Sequence, residues 1–249
     1  MLKLLLNLQL HKPAVKSAVF CIFVKIIFMK SIFMKYRIII GIFLVFSTIT
    51  LYLFYGALKP TKTLPIYNPA DVNPELVDST VQYISKYHTI ADFSFVNQNG
   101  KTVTQKDYEG KIYVADFFFT TCGSICPKMT ANLFEVQKAI IDNPKVMLLS
   151  HTVFPETDSV PVLKEYAVKY GVNDKKWNLV TGDKKEIYTM ARKSYLAVKL
   201  GKPSELYDMV HTENFVLVDA KRRVRGFYDG TKKEDIEKLI IDINFLSNE

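Results

Sequence analysis

Two cysteines carry the clearest chemistry in this chain. Cys122 and Cys126 lie in Phe117-Phe118-Phe119-Thr120-Thr121-Cys122-Gly123-Ser124-Ile125-Cys126-Pro127. An apolar run of strand character ends there, a turn follows, and a helix is predicted to open at Pro127. Positions four apart share one face of a helical turn. Two sulfurs would therefore meet near a helix N-terminus, where thiolates are favoured. That arrangement suits a soft metal ion or a disulfide. The third cysteine, Cys21, belongs to an N-terminal appendage. A single close pair in the rest of the chain points to redox or metal chemistry rather than to structural bridging.

The surrounding pattern predicts the elements that hold this pair. Phe93–Val96 and Thr102–Thr104 flank Asn97-Gln98-Asn99-Gly100 and read as a β-hairpin, since Asn-Gly supplies positive φ angles. Lys111–Phe119 and Lys145–Val153 are apolar enough for central buried strands. Pro127–Ile141 has helical periodicity, with Met129, Leu133, Val136 and Ile140 on one face. A helix over Val160–Tyr170 ends at Gly171, a short strand spans Trp177–Thr181, and a helix follows over Lys184–Tyr195. Residues 196–210 read as an irregular insertion. Asn214–Ala220 and Val224–Tyr228 pair around Lys221-Arg222-Arg223, and Lys232–Phe245 closes the chain as an amphipathic helix. Strands alternating with helices predict an α/β domain with a mixed central sheet covered on both faces and an N-terminal β-hairpin. This is the thioredoxin-like arrangement, with the cysteines at the first strand-to-helix turn.

Charge and hydropathy set the N-terminal part aside. Residues 1–59 hold eight Lys or Arg and no acid, whereas residues 60–249 hold 25 charges of each sign. The formal net charge of +8 belongs to the appendage alone, so basicity gives no argument for nucleic-acid binding. Ile38–Leu58 is free of charge and long enough to span a hydrocarbon core. Lys30, Lys35 and Arg37 precede it, which predicts a cytoplasmic N-terminus and an outer domain. A retained transmembrane anchor is favoured over a cleaved signal, because no convincing cleavage site follows. The expected organisation is a basic segment over 1–37 (with Met29 or Met34 as possible starts), an anchor over 38–58, a Pro- and Tyr-rich linker over 59–90, and a thioredoxin-like domain over 91–249.

Taken in order, Phe117–Pro127, Trp177-Asn178-Leu179-Val180-Thr181-Gly182 and His211-Thr212-Glu213-Asn214-Phe215-Val216-Leu217-Val218-Asp219 resemble the Sco (SCO1/SenC) family of membrane-anchored copper chaperones of cytochrome c oxidase assembly. The resemblance covers about residues 90–246. It implies one copper ion held by Cys122, Cys126 and His211. Thiolate is soft and selects Cu(I), and imidazole also suits Cu(II). Zinc competes, but a structural zinc site wants four protein ligands and only three are obvious. The implied partner is the copper-site subunit of the oxidase or another extracytoplasmic cuproprotein. The implied location is the inner membrane, single-pass, with the domain on the periplasmic side.

One departure stands out. The family usually carries an acid, Pro, two variable residues and Asp after the second strand. Here Phe154-Pro155-Glu156-Thr157-Asp158 lacks the first acid. Asp158 fits the second.

Three more residues keep alternatives open. Asp116 lies six residues before Cys122, where thioredoxins bury an acid that assists proton transfer to the thiols. It keeps thiol–disulfide exchange through Cys122 and Cys126 as the alternative function; the plainer reading is an acid paired at a strand edge. His151 ends the second strand and could be a ligand, a proton donor or a packed residue. A lone histidine such as His211 is by itself most simply a surface residue. His11 and His88 carry no signal, and Phe117–Phe119 and Trp177 read as core.

Overall fold

A computed structural model of the 249-residue chain describes residues 13–58, 63–200, 209–210 and 213–249. It contains two compact units, Met1–Lys62 and Thr63–Glu249.

The described part of the first unit is one helix, α1 (Pro13–Leu58). Its stretch Lys35–Leu58 is 24 residues long and apolar enough to cross a membrane. Ile38, Ile42, Phe46 and Leu53 all point outward, as on a helix apolar all round. The hydroxyls of Thr48 and Thr50 bond back to carbonyls of Leu44, Val45 and Phe46 at 2.8–3.0 Å. These side chains therefore add no unsatisfied polar group to the span.

The second unit is built on a seven-stranded sheet. Its strands are β1 (Ser94–Asn97), β2 (Thr102–Thr104), β3 (Ile112–Phe118), β4 (Val146–Thr152), β5 (Trp177–Thr181), β8 (Asn214–Val218) and β9 (Val224–Asp229). Their order across the sheet is β2-β1-β5-β4-β3-β8-β9. The core trio β5, β4 and β3 is parallel, and the flanking strands are antiparallel. Two residues each form β6 (Lys199–Leu200) and β7 (Met209–Val210), which pair separately. The helices are α2 (Cys126–Ala139), α3 (Val160–Lys169), α4 (Lys184–Thr189) and α5 (Lys233–Ser247). This is the mixed, helix-flanked sheet expected from the sequence.

Strand parity sorts the core into two faces. All seven residues of β3 are buried, as befits a strand covered on both sides. Val114, Asp116 and Phe118 point to one face. Tyr166 of α3 packs on Phe118 and shares a 2.7 Å hydroxyl contact with Thr130 of α2. Tyr228 of β9 donates to Asp242 of α5 on the same side. Tyr113, Ala115 and Phe117 point the other way, where Tyr195 lies edge-on to Tyr113 and Phe117.

Three local details differ from the expectations. The helix over 184–195 divides into α4 and a π-helical turn, Met190–Ser194. The wider turn accompanies burial of Met190, Ala191 and Ser194, and Leu196 follows at φ 56°. Leu196–Val198, inside the expected irregular insertion, are fully buried.

The third detail concerns residues 63–90, where a linker was expected. They pack on the sheet: Val77 and Ile90 are fully buried, and Tyr67 bridges to Val224. The His88 imidazole meets the Ser194 carbonyl at 2.8 Å. Buried Arg225 holds the carbonyls of Leu64 and Pro65 at 3.0 and 3.1 Å and pairs with Asp219 and Glu249. Apolar residues spaced among prolines look like a tether in sequence, but their anchor points are backbone carbonyls that composition does not reveal.

Candidate thiol and metal site

β3 delivers the chain to the cysteine loop, and α2 takes it away. The helix begins at Cys126, one residue earlier than its proline suggested. Pro127 in the first turn loses nothing, since that N–H has no intrahelical partner. Cys126 is wholly buried and Cys122 is 8 % exposed. Gly123 and Ser124 between them are exposed. Both cysteines are free thiols in this structure.

The two thiols are electrostatically unequal. Burial pushes Cys122 up, but hydrogen bonds from the Cys126 thiol, the backbone N–H groups of Cys126 and Ser124, and the Ser124 hydroxyl (3.7 Å from Sγ) outweigh it. Cys122 is thus held below the ordinary thiol range. Burial pushes Cys126 up, and the charge that settles on Cys122 pushes it further. The pair is polarised: Cys122 ionises more readily than an ordinary thiol and Cys126 less readily.

Asp116 stands behind this pair on the same face as α2. It is 3 % exposed. Burial raises its carboxyl to about 7, opposed by the Ser150 hydroxyl that donates to it. Trp177 in turn donates its indole N–H to Ser150 at 2.8 Å. Sequence reasoning singled out Asp116 but not Ser150, its partner across β4. The clue lies in register: in parallel β3 and β4, Asp116 sits opposite Ser150. That these two polar residues meet follows only once the pairing is known.

His151 sits on the other face. It is fully buried among Phe93, Phe95, Phe117 and Tyr195, with ring centroids 5.1–6.2 Å away. Burial pushes its imidazole down to about 3, against an upward pull from the Asp116 backbone. Neither ring nitrogen has a partner in hydrogen-bonding geometry. Of the three roles open to it, this placement matches a packed, neutral residue.

Asp158, by contrast, reaches the cysteine loop. It is fully buried and accepts the Thr120 N–H at 3.1 Å and the hydroxyls of Thr120 and Thr152. Phe154, which stands where the first acid was expected, is partly buried against the core.

His211 lies outside the described residues. Among the described residues no three His, Cys, Asp or Glu side chains converge in a metal-binding group. The backbone does define where its neighbourhood leads. β8 pairs antiparallel to β3 with Ala115 opposite Val216, so Asn214 starts β8 at the end of β3 from which the cysteine loop departs. Soft thiolates as a pair fit a soft ion.

A family model described as SCO1/SenC matches residues 81–246. The chain belongs to the SCO1/SenC family. The SCO1 protein homolog of Bacillus subtilis (strain 168) is 33% identical over 162 residues, covering 64% of this chain and 83% of that protein. The structure described as revealing a disulfide switch in BsSco, a member of the Sco family of cytochrome c oxidase assembly proteins, superposes with a TM-score of 0.55 at 32% identity; it covers 64% of this chain and 94% of that one. Bradyrhizobium japonicum ScoI with copper bound superposes with a TM-score of 0.52 at 27% identity, covering 64% of this chain and 99% of that one.

Proposed function

We propose that this chain is a membrane-anchored copper-binding protein that delivers copper to the copper-site subunit of cytochrome c oxidase. The observation that carries the reading is the adjacent, unequal pair of free thiols at the start of α2. Cys122 and Cys126 would supply two thiolates and His211 one imidazole. The copper-bound Sco relative supports the choice of metal. The β8–β3 register supports His211, which precedes Asn214 by three residues in sequence. Bound copper would be the cargo, and two soft ligands plus one borderline ligand tolerate both Cu(I) and Cu(II). The basic residues Lys30, Lys35 and Arg37 support an orientation with the folded unit outside the cytoplasm, in the inner membrane.

A second reading, thiol–disulfide exchange, is favoured by Asp116. The Cys122 thiolate would attack a partner disulfide, forming a mixed disulfide and releasing one partner thiolate. Asp116 carboxylate would take the Cys126 proton, and the Cys126 sulfur would displace the partner's second thiolate. The partner would gain two electrons and the chain would keep a Cys122–Cys126 disulfide. The disulfide switch described for BsSco lends this support.

Anaerobic titration with Cu(I), Cu(II) and Zn(II), wild type against His211→Ala, tests the first reading. Loss or alteration of the Cu(II) absorption and EPR signals in His211→Ala is the expected result. Identical copper signals in both proteins would remove His211 from the ligand set. Fast reduction of a peptide disulfide that needs both cysteines but not His211 is the expected signature of the second reading.

A further inference from the structure

We infer that Asp158 is a positioning residue that fixes the cysteine loop so that the Cys122 and Cys126 sulfurs can share one ion or one bond. The inference rests on the thiol-pair reading of the site and adds a residue to it.

The cysteine loop needs an outside hold. Cys122 is tied locally, by its N–H to the Phe119 carbonyl at 3.3 Å, and exposed Gly123 and Ser124 carry no packing that would fix the turn. Cys126 is fixed differently, as the first residue of a packed helix. The relative position of the two sulfurs therefore depends on what holds the residues just before Cys122.

Asp158 supplies that hold. Its carboxylate takes both the backbone N–H and the hydroxyl of Thr120, two residues before Cys122. It also takes the hydroxyl of Thr152, the last residue of β4. The Thr152 oxygen is itself occupied, accepting the Phe154 N–H at 3.0 Å. Its proton is thereby committed to Asp158. Three donors converge on one buried carboxyl group. Val153 adds a parallel tie by donating to the Phe118 carbonyl at 2.8 Å. The loop is thus referenced to the end of β4, a rigid neighbour, through this carboxylate and the Val153–Phe118 bond just before it.

The chemistry makes Asp158→Asn informative. Asparagine keeps the shape but has one acceptor oxygen where aspartate has two. That oxygen is left to take both the Thr120 N–H and the Thr152 hydroxyl, and the NH₂ meets the Thr120 hydroxyl, which must turn from donor to acceptor. The clamp is rewired and weakened, while the apolar core beneath stays intact. Residues that orient ligands in this way typically change metal affinity by roughly 10–100-fold when mutated.

The test uses the full-length chain in detergent, as wild type, Asp158→Asn, Thr120→Val and Thr152→Val. One readout is metal-free: equilibration with oxidised glutathione, in which two protein thiols become a disulfide and each oxidised glutathione yields two reduced ones. The second readout is the Cu(II) absorption and EPR signature with Cu(I) affinity by competition. Circular dichroism melting reports folding. The expected result is a folded Asp158→Asn whose copper affinity falls by roughly 10–100-fold and whose disulfide-forming equilibrium falls with it. Thr120→Val should change both in the same direction by less. Thr152→Val, which cuts the bond from the carboxylate to β4 but leaves its contacts to Thr120 in place, should also change both in the same direction by less than Asp158→Asn. A folded Asp158→Asn with wild-type disulfide equilibrium and copper signature would overturn the inference. Should Asp158→Asn not fold, Thr120→Val decides: both readouts unchanged would overturn it equally. If wild type takes no copper while Asp158→Asn still shifts the glutathione equilibrium, the copper reading fails and the positioning role stands.

Discussion

Replacing His151 by phenylalanine should uncouple the stability of the folded unit from mild acid. The imidazole is fully buried, both its nitrogens lack partners, and its folded pKa lies at about 3 against an ordinary 6.5. A base whose pKa is depressed by folding is protonated first in the unfolded chain. Its neutral burial is tolerated fully above pH 6.5, and stability is lost as pH falls from there toward 3. The loss attributable to this one residue is about 2 kcal/mol at pH 5 and grows further down. Phenylalanine cannot titrate and suits a pocket of Phe93, Phe95, Phe117 and Tyr195. At pH 7 two effects compete. Removing unpartnered polar atoms gains about 1–3 kcal/mol, and the larger ring costs a similar amount if the pocket cannot expand. The absolute offset at pH 7 is therefore a weak discriminator, but the change with pH is a strong one. Denaturant unfolding of the full-length chain in detergent, wild type against His151→Phe, should show the mutant gaining about 2 kcal/mol relative to wild type between pH 7 and pH 5. Other titrating groups, Asp116 included, are common to both proteins and cancel in the difference. Parallel stability curves across that range would refute the reasoning, and would mean that His151 finds a proton partner or solvent in the folded state.

Two further outcomes follow from the thiol face. Asp116 has a folded pKa of about 7, raised from 3.8, so its contribution is complete at low pH and is lost as pH rises from about 4 through 7; Asp116→Asn should be more stable than wild type at pH 8 by about 2–4 kcal/mol, with no such gain at pH 4. Because the single tryptophan, Trp177, is linked to Asp116 through Ser150, its fluorescence should shift in that variant, and an unaltered emission spectrum would argue against the chain of hydrogen bonds. Iodoacetamide at neutral pH should label Cys122 well ahead of Cys126, as read by mass spectrometry of the peptides; equal labelling of an intact fold would contradict the inequality of the two thiols.

Much of the framework could be read from residue patterns. The apolar runs of β3 and β4, the Asn-Gly hairpin and the glycine stop after α3 each depend on neighbours in sequence, so local rules reach them. Gly100 and Gly171 both adopt positive φ, at 71° and 68°. The cysteine pair was legible for the same reason: its spacing and its strand-turn-helix setting are local. What escaped is non-local. Ser150 meets Asp116 only through strand register, Thr120 meets Asp158 across 38 residues, and the packing of residues 63–90 depends on Arg225, 160 residues beyond Pro65. The π-helical turn at Met190–Ser194 answers to burial on the sheet, which overrides the plain helical periodicity of that stretch.

The alternation of side chains along β3 has a consequence for how this protein can change. Asp116 and Phe117 are neighbours in the chain, yet one bonds Ser150 on the α2 side of the sheet and the other stacks on His151 at 5.1 Å. A layer of strand backbone separates two environments with opposite responses to pH: acid favours the fold through Asp116 and disfavours it through His151. The two pH responses are thus separable traits. A lineage, or an engineer, can retune one by substitutions on its own side of the sheet while the other keeps its setting.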